Sequence, residues 1–259
     1  MTDPLISTSV PPGPPAATPT IRISDWLSNG WQVLQPFWVQ AVLTLWVMFL
    51  ARLLGTLLCL LPGLVIAGPL IAGVQIHLAK RLLGLPASLD DLFLGFRRFA
   101  DTFLIGLVLY LVPVLISFGA AAPRLIASLV TGGEASHDAG LFAVTTLLSA
   151  AASLVSLAYL VFANTALIFA LPLVVFRQMK AVDAMRQSFE LVKPQILGFL
   201  FLFVILYLVG MAGFFAGLIV CIGWLVTAPL AAALIYLVQL QAFREFVGLS
   251  ESDLAPYRN

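Results

Sequence analysis

Charged residues are scarce in this sequence: it has 13 Lys and Arg and 12 Asp and Glu among 259 residues, or 10%. A soluble globular domain carries about 25% charged residues, because its surface must interact with water. The composition is instead 61% hydrophobic, and the mean hydropathy is +1.07. The shortage of charge excludes a soluble protein and a charge-rich disordered chain, and it predicts an integral membrane protein.

Cysteine and the common catalytic motifs are also missing or rare. Cys59 and Cys221 are the only cysteines, and their spacing is not that of a metal site. We expect both near the outer ends of helical hairpins, where buried free thiols are favoured over a disulfide. The sequence contains no zinc-protease, nucleophile-elbow or phosphate-loop motif, and no predicted span contains Asp or Glu. These absences predict a protein that is not an enzyme and needs no metal or cofactor.

Charge-free stretches locate the membrane crossings, since about 20 apolar residues cross the hydrocarbon layer as a helix. Turns between adjacent crossings are predicted at residues 61–63 and 221–223. The fold class is therefore an all-α polytopic membrane protein. Its six predicted transmembrane helices cover residues 37–60, 64–83, 102–125, 148–176, 196–220 and 224–244.

The transmembrane domain is predicted to cover residues 21–248, with a tail at each end. Residues 1–20 contain six prolines, no Lys or Arg, and no apolar core like that of a signal peptide. We expect these residues to form a disordered, Pro-rich cytoplasmic tail, and a partner-binding role is the less favoured alternative. Residues 249–259 are expected to form a short cytoplasmic tail.

Basic residues are distributed unevenly about the predicted helices, which sets the orientation of the chain. With six crossings, eleven of the 13 Lys and Arg residues fall on the side that holds both termini. Arg124 alone lies on the other side, and Arg52 lies within the first helix. The positive-inside rule therefore predicts a multi-pass protein of the bacterial inner (cytoplasmic) membrane with both termini cytoplasmic. The eleven residues are Arg22, Lys80, Arg81, Arg97, Arg98, Arg177, Lys180, Arg186, Lys193, Arg244 and Arg258.

A short pattern occurs twice in the chain, and a fainter copy lies between them. Residues 25–36 align with residues 183–194, and both segments begin with Asp and end with Pro. Apolar residues recur at i, i+4 and i+7, which predicts one apolar face on a short helix. Such a helix is too charged to cross, so we predict three amphipathic helices at the cytoplasmic interface, the first Asp capping the helix start. The pattern is marked by Asp25, Trp31, Phe96, Asp183 and Phe189.

Each predicted short helix precedes a pair of crossings, so the chain divides into three parallel repeats of an interfacial helix and a transmembrane hairpin. The second crossing of each pair contains a proline: Pro69, Pro172 or Pro229. Because proline removes a backbone hydrogen bond, each one predicts a kink. Three kinks at equivalent places fit a functional cavity at the centre or, as the favoured alternative, simple kinked packing.

Few polar side chains lie within the predicted helices, and those few are candidates for function because burying them in lipid is costly. Arg52 is the one formal charge well inside a helix. It has either a specific role or, more favoured, a side chain that reaches the outer headgroups. For Asn164 and Thr165, hydrogen bonding between helices is favoured over lining a pathway. The candidates nearer the cytoplasmic side are Gln75, His77 and Gln239.

Two segments resemble a group of bacterial six-span membrane proteins. Residues 184–194 are similar to an Ala-x-x-x-Ser-Phe helix beside the membrane in that group, and residues 91–96 to an Asp-Leu-Phe-x-Gly-Phe element. The group includes families of unknown function and the membrane domain attached to some glycerophosphodiester phosphodiesterases. The resemblance covers most of residues 25–248 and implies a six-span membrane domain. No counterpart of the phosphodiesterase catalytic domain occurs in the sequence, so the resemblance implies no activity and no catalytic residue.

Together these features predict a non-enzymatic scaffold, anchor or accessory subunit at the cytoplasmic face of the inner membrane. Its expected partners are membrane lipids and a protein at the cytoplasmic face, and the net charge of +1 argues against nucleic acid. The alternative is a small transporter or channel whose cavity is lined by the kinked second helix of each repeat. A lipid-handling enzyme is the least favoured hypothesis, and the sequence predicts no oligomeric state.

Overall fold

The computed structural model describes residues 20–58, 60–130, 139–219 and 224–257. This part of the chain is all-helical, with eleven α-helices and no strand. The helices are α1 (Ile23–Leu34), α2 (Trp38–Leu58), α3 (Leu60–Leu82), α4 (Asp91–Leu94), α5 (Phe99–Gly106), α6 (Val112–Val130), α7 (Ala139–Ala166), α8 (Ala170–Phe176), α9 (Ala181–Val192), α10 (Ile196–Ile219) and α11 (Trp224–Phe246).

Short segments of other helix types join several of these helices. Pro36 and Pro194 lie in 3-10 turns that carry the chain from α1 into α2 and from α9 into α10. Proline fits there because its fixed φ suits the first turn of the helix that follows. The segments are the 3-10 turns Gln35–Phe37, Gly95–Arg98 and Lys193–Gln195, the π-helical segment Leu107–Leu111 and the 3-10 helix Glu251–Tyr257.

Five helical stretches are long and apolar enough to cross a membrane, which identifies a multi-pass integral membrane protein. In addition, α3 has 23 residues, and at about 1.5 Å per residue it is long enough to match the hydrocarbon layer. Six crossings stay a prediction. The five stretches are Ile23–Leu57, Asp91–Ile116, Ala143–Phe176, Ala181–Gly217 and Leu225–Phe246.

The fourth predicted helix, over residues 148–176, is broken in the structure. α7 ends at Ala166 and α8 begins at Ala170, with a turn between them. Pro172 contributes to the break, because a proline ring clashes with the carbonyl group four residues earlier in a regular helix. Pro69 and Pro229 lie inside the uninterrupted α3 and α11. The three prolines therefore do not interrupt their helices in the same way.

The turn predicted at residues 61–63 is wrong, because these residues already belong to α3, which begins at Leu60. Pro62 is tolerated near the start of this helix, where its missing N–H leaves no helical hydrogen bond unmade. The turn predicted at residues 221–223 lies outside the described residues, as do Cys59 and Cys221. Residues 131–138 also lie outside them.

Three short segments pack against long helices, each through one small buried residue. In α1, Gly30 lies against Leu234 of α11, at a distance that leaves little room for a side chain. Gly95 lies so close to α3 that a side chain there would overlap the Pro69 carbonyl group. In α9, Ser188 contacts the turn between α7 and α8. All three residues directly precede the aromatic residue of the sequence pattern.

The apolar faces predicted for the short helices are buried only in part. Leu34 and Val192 are fully buried, but the Trp31 side chain is 43% exposed. The buried face of α1 is centred one residue earlier, on Trp26 and Gly30. The small residue thus sets the helix contact, and the large aromatic residue after it lies outside the core.

Asp25 and Asp183 do not cap their helices, contrary to the prediction. The cap positions are Arg22 for α1 and Lys180 for α9, and neither has a side-chain capping bond. The two aspartates lie in the first turns, where a carboxylate still interacts favourably with the helix dipole.

The predicted C-terminal tail is packed against the protein as far as residue 257. Tyr257 is 1% exposed, and its hydroxyl donates a hydrogen bond to the Val175 carbonyl oxygen at 3.0 Å. Arg177 pairs with Asp253 at 3.2 Å and donates to the carbonyl groups of two residues after α11. These contacts attach the segment after α11 to the end of α8.

Candidate functional site

A cavity of about 280 Å³ lies between the long helices. A cavity of this volume is large enough to hold several water molecules. Its walls come from α3, α5, the π-helical segment, α7, the turn into α8, α8 itself, α10 and α11. The apolar walls carry six polar side chains: Gln75, Tyr110, Asn164, Tyr207, Tyr236 and Gln239.

Three amide side chains line this cavity from three different helices, which are α3, α7 and α11. Gln75 is 3% exposed, and its Oε1 atom has no hydrogen-bond partner among the described residues. Asn164 donates through Nδ2 to the Leu160 carbonyl oxygen at 2.8 Å, which leaves its Oδ1 atom as an acceptor. Gln239 is the third amide. A buried amide oxygen without a donor is costly, so a donor placed in the cavity would stabilise this arrangement.

Three of the five tyrosines of the chain also line the cavity. Tyr110 lies in the π-helical segment, a kind of insertion that often occurs at functional sites. The guanidinium carbon of Arg52 lies 5.1 Å from the centre of the Tyr110 ring, within the range of a cation–π interaction. Arg52 therefore contacts the cavity wall through Tyr110, and both residues lie in helices of the apolar region.

The structure separates the two neighbouring polar residues of α7. Asn164 lines the cavity, whereas Thr165 lines a groove between α7 and α10 beside Leu197. Thr165 is 2% exposed, and its hydroxyl has no partner within the described residues. Thr165 is thus no part of the central site.

The three prolines do not line the cavity, although their neighbours do. Gly68 and Leu171, which precede Pro69 and Pro172, are part of its wall. Pro229 instead lines a separate apolar groove that α11 forms with α2 and α10. The prolines therefore affect the cavity through the course of the helices and not by contact.

His77 belongs to a buried charged cluster outside the cavity. The Lys80 Nζ atom lies 2.5 Å from Asp91 Oδ1, and these residues are 6% and 0% exposed. The Ser88 backbone N–H donates to Asp91 Oδ2 at 3.0 Å. His77 Nδ1 lies 3.0 Å from the Ser88 carbonyl oxygen and 3.6 Å from Asp91 Oδ2. The cluster ties the end of α3 to the start of α4.

This cluster was not predicted from the sequence, which placed Lys80 and Asp91 at the interface. Their separation of eleven residues matches no simple helix-face pattern that would pair them. Across the described ranges, no group of three or more His, Cys, Asp or Glu is placed to hold a metal ion. The cluster therefore offers a buried ion pair and not a metal site.

Ser188 forms hydrogen bonds with the backbone groups that the break between α7 and α8 leaves unpaired. Its hydroxyl donates to the Ala166 carbonyl oxygen at 2.8 Å and accepts a hydrogen bond from the Phe169 backbone N–H at 3.2 Å. Broken helices persist in membranes where side chains satisfy the freed backbone groups. The signal for this role was the Ser of the Ala-x-x-x-Ser-Phe pattern.

Most of the basic side chains near the ends of the long helices have partners within the chain. Arg98 pairs with Asp101 at 3.0 Å, and Asp101 accepts a hydrogen bond from the Ala181 N–H at 2.9 Å. Arg22 bonds Glu245 at 2.8 Å, and this bond raises the pKa of the Arg22 guanidinium. Burial likewise raises the pKa of the Tyr257 hydroxyl.

Comparison with protein-family models, curated proteins and solved structures finds no match for this chain. The similarity to the membrane domain of glycerophosphodiester phosphodiesterases accordingly stays a prediction. The function must be inferred from the cavity and its surroundings.

Proposed function

We propose that this chain is a non-enzymatic membrane protein that binds a small solute in the central cavity and carries it across the membrane. The observation that supports this role is the polar lining of the cavity within an otherwise apolar core. Small-molecule sites are concave, mostly apolar, and carry a few converging polar groups. Gln75, Asn164 and Gln239 supply such groups here.

The proposed topology has six crossings in the bacterial inner membrane, with both termini cytoplasmic. It also has three parallel repeats. Support comes from the contacts of the short segments: α1 packs on α11, α4 on α3, and α9 on α8. Each predicted hairpin thus contacts the interfacial helix that precedes the next hairpin, and the last hairpin contacts α1, which precedes the first. The second helix of each predicted hairpin also contributes one amide to the cavity.

A scaffold role is the second candidate, and exposed apolar residues on the short helices favour it. Phe93 is 59% exposed and Val182 is 63% exposed, so they face either lipid or a protein partner. Against this role, three cationic side chains that could recruit a partner, Arg22, Arg98 and Arg177, bond groups of this chain, while Arg186 and Lys193 are exposed. Solute binding therefore accounts for more of the structure.

Water access to the cavity tests the proposed function. In a variant lacking Cys59 and Cys221, Leu206→Cys places a thiol in the cavity wall. Leu202→Cys is the matched control, since Leu202 lies one turn earlier on α10, is fully buried, and does not line the cavity. We expect a small water-soluble maleimide to label Leu206→Cys in membrane vesicles and to leave Leu202→Cys unlabelled. Equal resistance of both thiols would contradict a solute pathway.

A further inference from the structure

We propose that the cavity accommodates a neutral polyol, with the three amides as its recognition site. This inference rests on the proposed function and specifies the class of solute. It starts from Gln75, whose side chain lines the cavity and whose Oε1 atom is buried with no hydrogen-bond partner among the described residues. Buried polar groups in proteins are almost always hydrogen-bonded, and among the described residues Gln75 is the one with an unpartnered buried atom whose side chain also lines this cavity.

The amide geometry calls for a ligand that donates hydrogen bonds. Gln75 offers a free Oε1 acceptor, and Asn164 keeps its Oδ1 atom as an acceptor because its Nδ2 atom bonds Leu160. Two acceptors on two helices match two hydroxyl groups of one ligand. Gln239 and the tyrosine hydroxyls can both donate and accept, as the hydroxyl groups of a polyol also do.

The charge of the lining excludes an ionic ligand. Among the described residues, no charged side chain lines the cavity. A carboxylate or ammonium group there would lose its hydration without gaining a counter-ion, which costs far more than burying a hydroxyl group. Arg52 does not line the cavity, and its guanidinium carbon lies 5.1 Å from the centre of the Tyr110 ring. Neutral solutes therefore fit the cavity and ions do not.

The aromatic rings of the lining suit the carbon skeleton of such a solute. Tyr110, Tyr207 and Tyr236 each combine an apolar ring with a hydroxyl group. They can cover C–H surface while their hydroxyl groups bond the ligand. A short polyol presents both kinds of surface and fits within about 280 Å³.

The inference is tested by solute flux into proteoliposomes that contain the full chain. The probe is erythritol, and the matched anion is erythronate, which has the same four-carbon skeleton with a carboxylate at one end. Re-swelling after an osmotic shift is followed by light scattering. We expect erythritol to enter faster than in protein-free vesicles, and erythronate to enter no faster. Faster entry of erythronate than of erythritol would overturn the inference.

The variant Gln75→Leu separates recognition from structural support. Loss of one hydrogen bond to a buried amide predicts about tenfold slower erythritol flux. Because leucine removes an unpartnered polar atom, the Tm of Gln75→Leu should stay equal or rise. The control Gln32→Leu, on the exposed side of α1, should keep full flux. Unchanged flux in Gln75→Leu, or a fall in its flux together with its Tm, would overturn the assignment of this residue.

The two proposals can fail separately. If Leu206→Cys is labelled by the maleimide but erythritol flux equals that of protein-free vesicles, the polyol assignment is wrong and the solute pathway stands. If Leu206→Cys is not labelled, both proposals are wrong.

Discussion

Polar groups are treated differently in two regions of this protein. In the charged layer, formed by Lys80, Asp91, Arg98, Asp101 and Arg177, every side chain has at least one partner within the chain. In the cavity, Gln75 presents an amide oxygen with no partner among the described residues. Both regions bury polar atoms. In the charged layer the ionic groups pair with one another or with groups of the chain, and Arg98 Nε is its one buried atom without a partner among the described residues.

The two regions are therefore expected to respond differently to mutation. A satisfied buried pair holds helices together and is strongly destabilising to break, whereas an unsatisfied group costs free energy until something binds it. Mutations in the charged layer should therefore lower stability. Mutations in the cavity should instead affect binding and leave stability intact.

The largest expected effect is that of Asp91→Ala. It leaves the buried Lys80 ammonium group without its carboxylate, and we expect a loss of about 3–5 kcal/mol in the free energy of unfolding. The neighbouring Asp90 is exposed, so Asp90→Ala should change stability by less than about 0.5 kcal/mol. Thermal unfolding of both variants in detergent measures the contrast. Equal melting temperatures would show that the buried pair contributes nothing.

A smaller effect is expected for Ser188→Ala. The variant removes the hydroxyl group that bonds Ala166 and Phe169 across the break between α7 and α8. Leaving these buried backbone groups unpaired should cost about 1–3 kcal/mol. The adjacent exposed residue provides the control, because Gln187→Ala touches no such break. If both variants unfold at the same temperature, another group satisfies the broken helix.

The Tyr257 hydroxyl predicts a dependence of stability on pH. Because burial raises its pKa, the folded protein holds the phenolic proton more tightly than the unfolded chain, in which tyrosine titrates near pH 10. Its contribution is complete below about pH 10 and is lost as the pH rises through the folded pKa. Tyr257→Phe should lower the free energy of unfolding by about 1 kcal/mol at neutral pH. Above about pH 10, the stability of this variant should fall less with rising pH than that of the unsubstituted protein. Unfolding curves of both proteins over this pH range provide the measurement.

The smallest effect is expected for Thr165→Val. Thr165 is buried, but its hydroxyl has no partner in the described part of the chain, so it resembles Gln75 and not Ser188. Valine keeps the shape and removes the unpaired oxygen, and the melting temperature should stay unchanged or rise slightly. A clear fall would mean that the hydroxyl group makes a bond in the membrane, and the contrast between the two regions would then weaken.

Sequence patterns predicted the helices but not the connections between polar side chains. Absence of charge located α2, α10 and α11 to within a few residues, because lipid excludes charge along a whole crossing. The break before α8 was predicted only as a kink at Pro172, since the sequence does not reveal how far a helix bends. Lys80 and Asp91 come together only through the turn between α3 and α4.

The cavity was predicted in part. Asn164, Gln75 and Gln239 were recognised as polar residues in apolar helices, which is a property of the sequence alone. Their meeting in one cavity depends on how the helices pack, and so does the contribution of the tyrosines. Tyr110 could not be assigned to a wall from its position, because the π-helical segment shifts the helix face on which it lies.

The contact between α1 and α11 has a consequence for the order of events during synthesis. Arg22 and Trp26 both bond Glu245, and the first of these pairs is separated by 223 positions in the sequence. α1 is therefore synthesised long before α11, the helix that it contacts, and it has no such partner while the other helices are made. The contact can form only after α11 has been made, so the packing of α1 is one of the last steps of assembly.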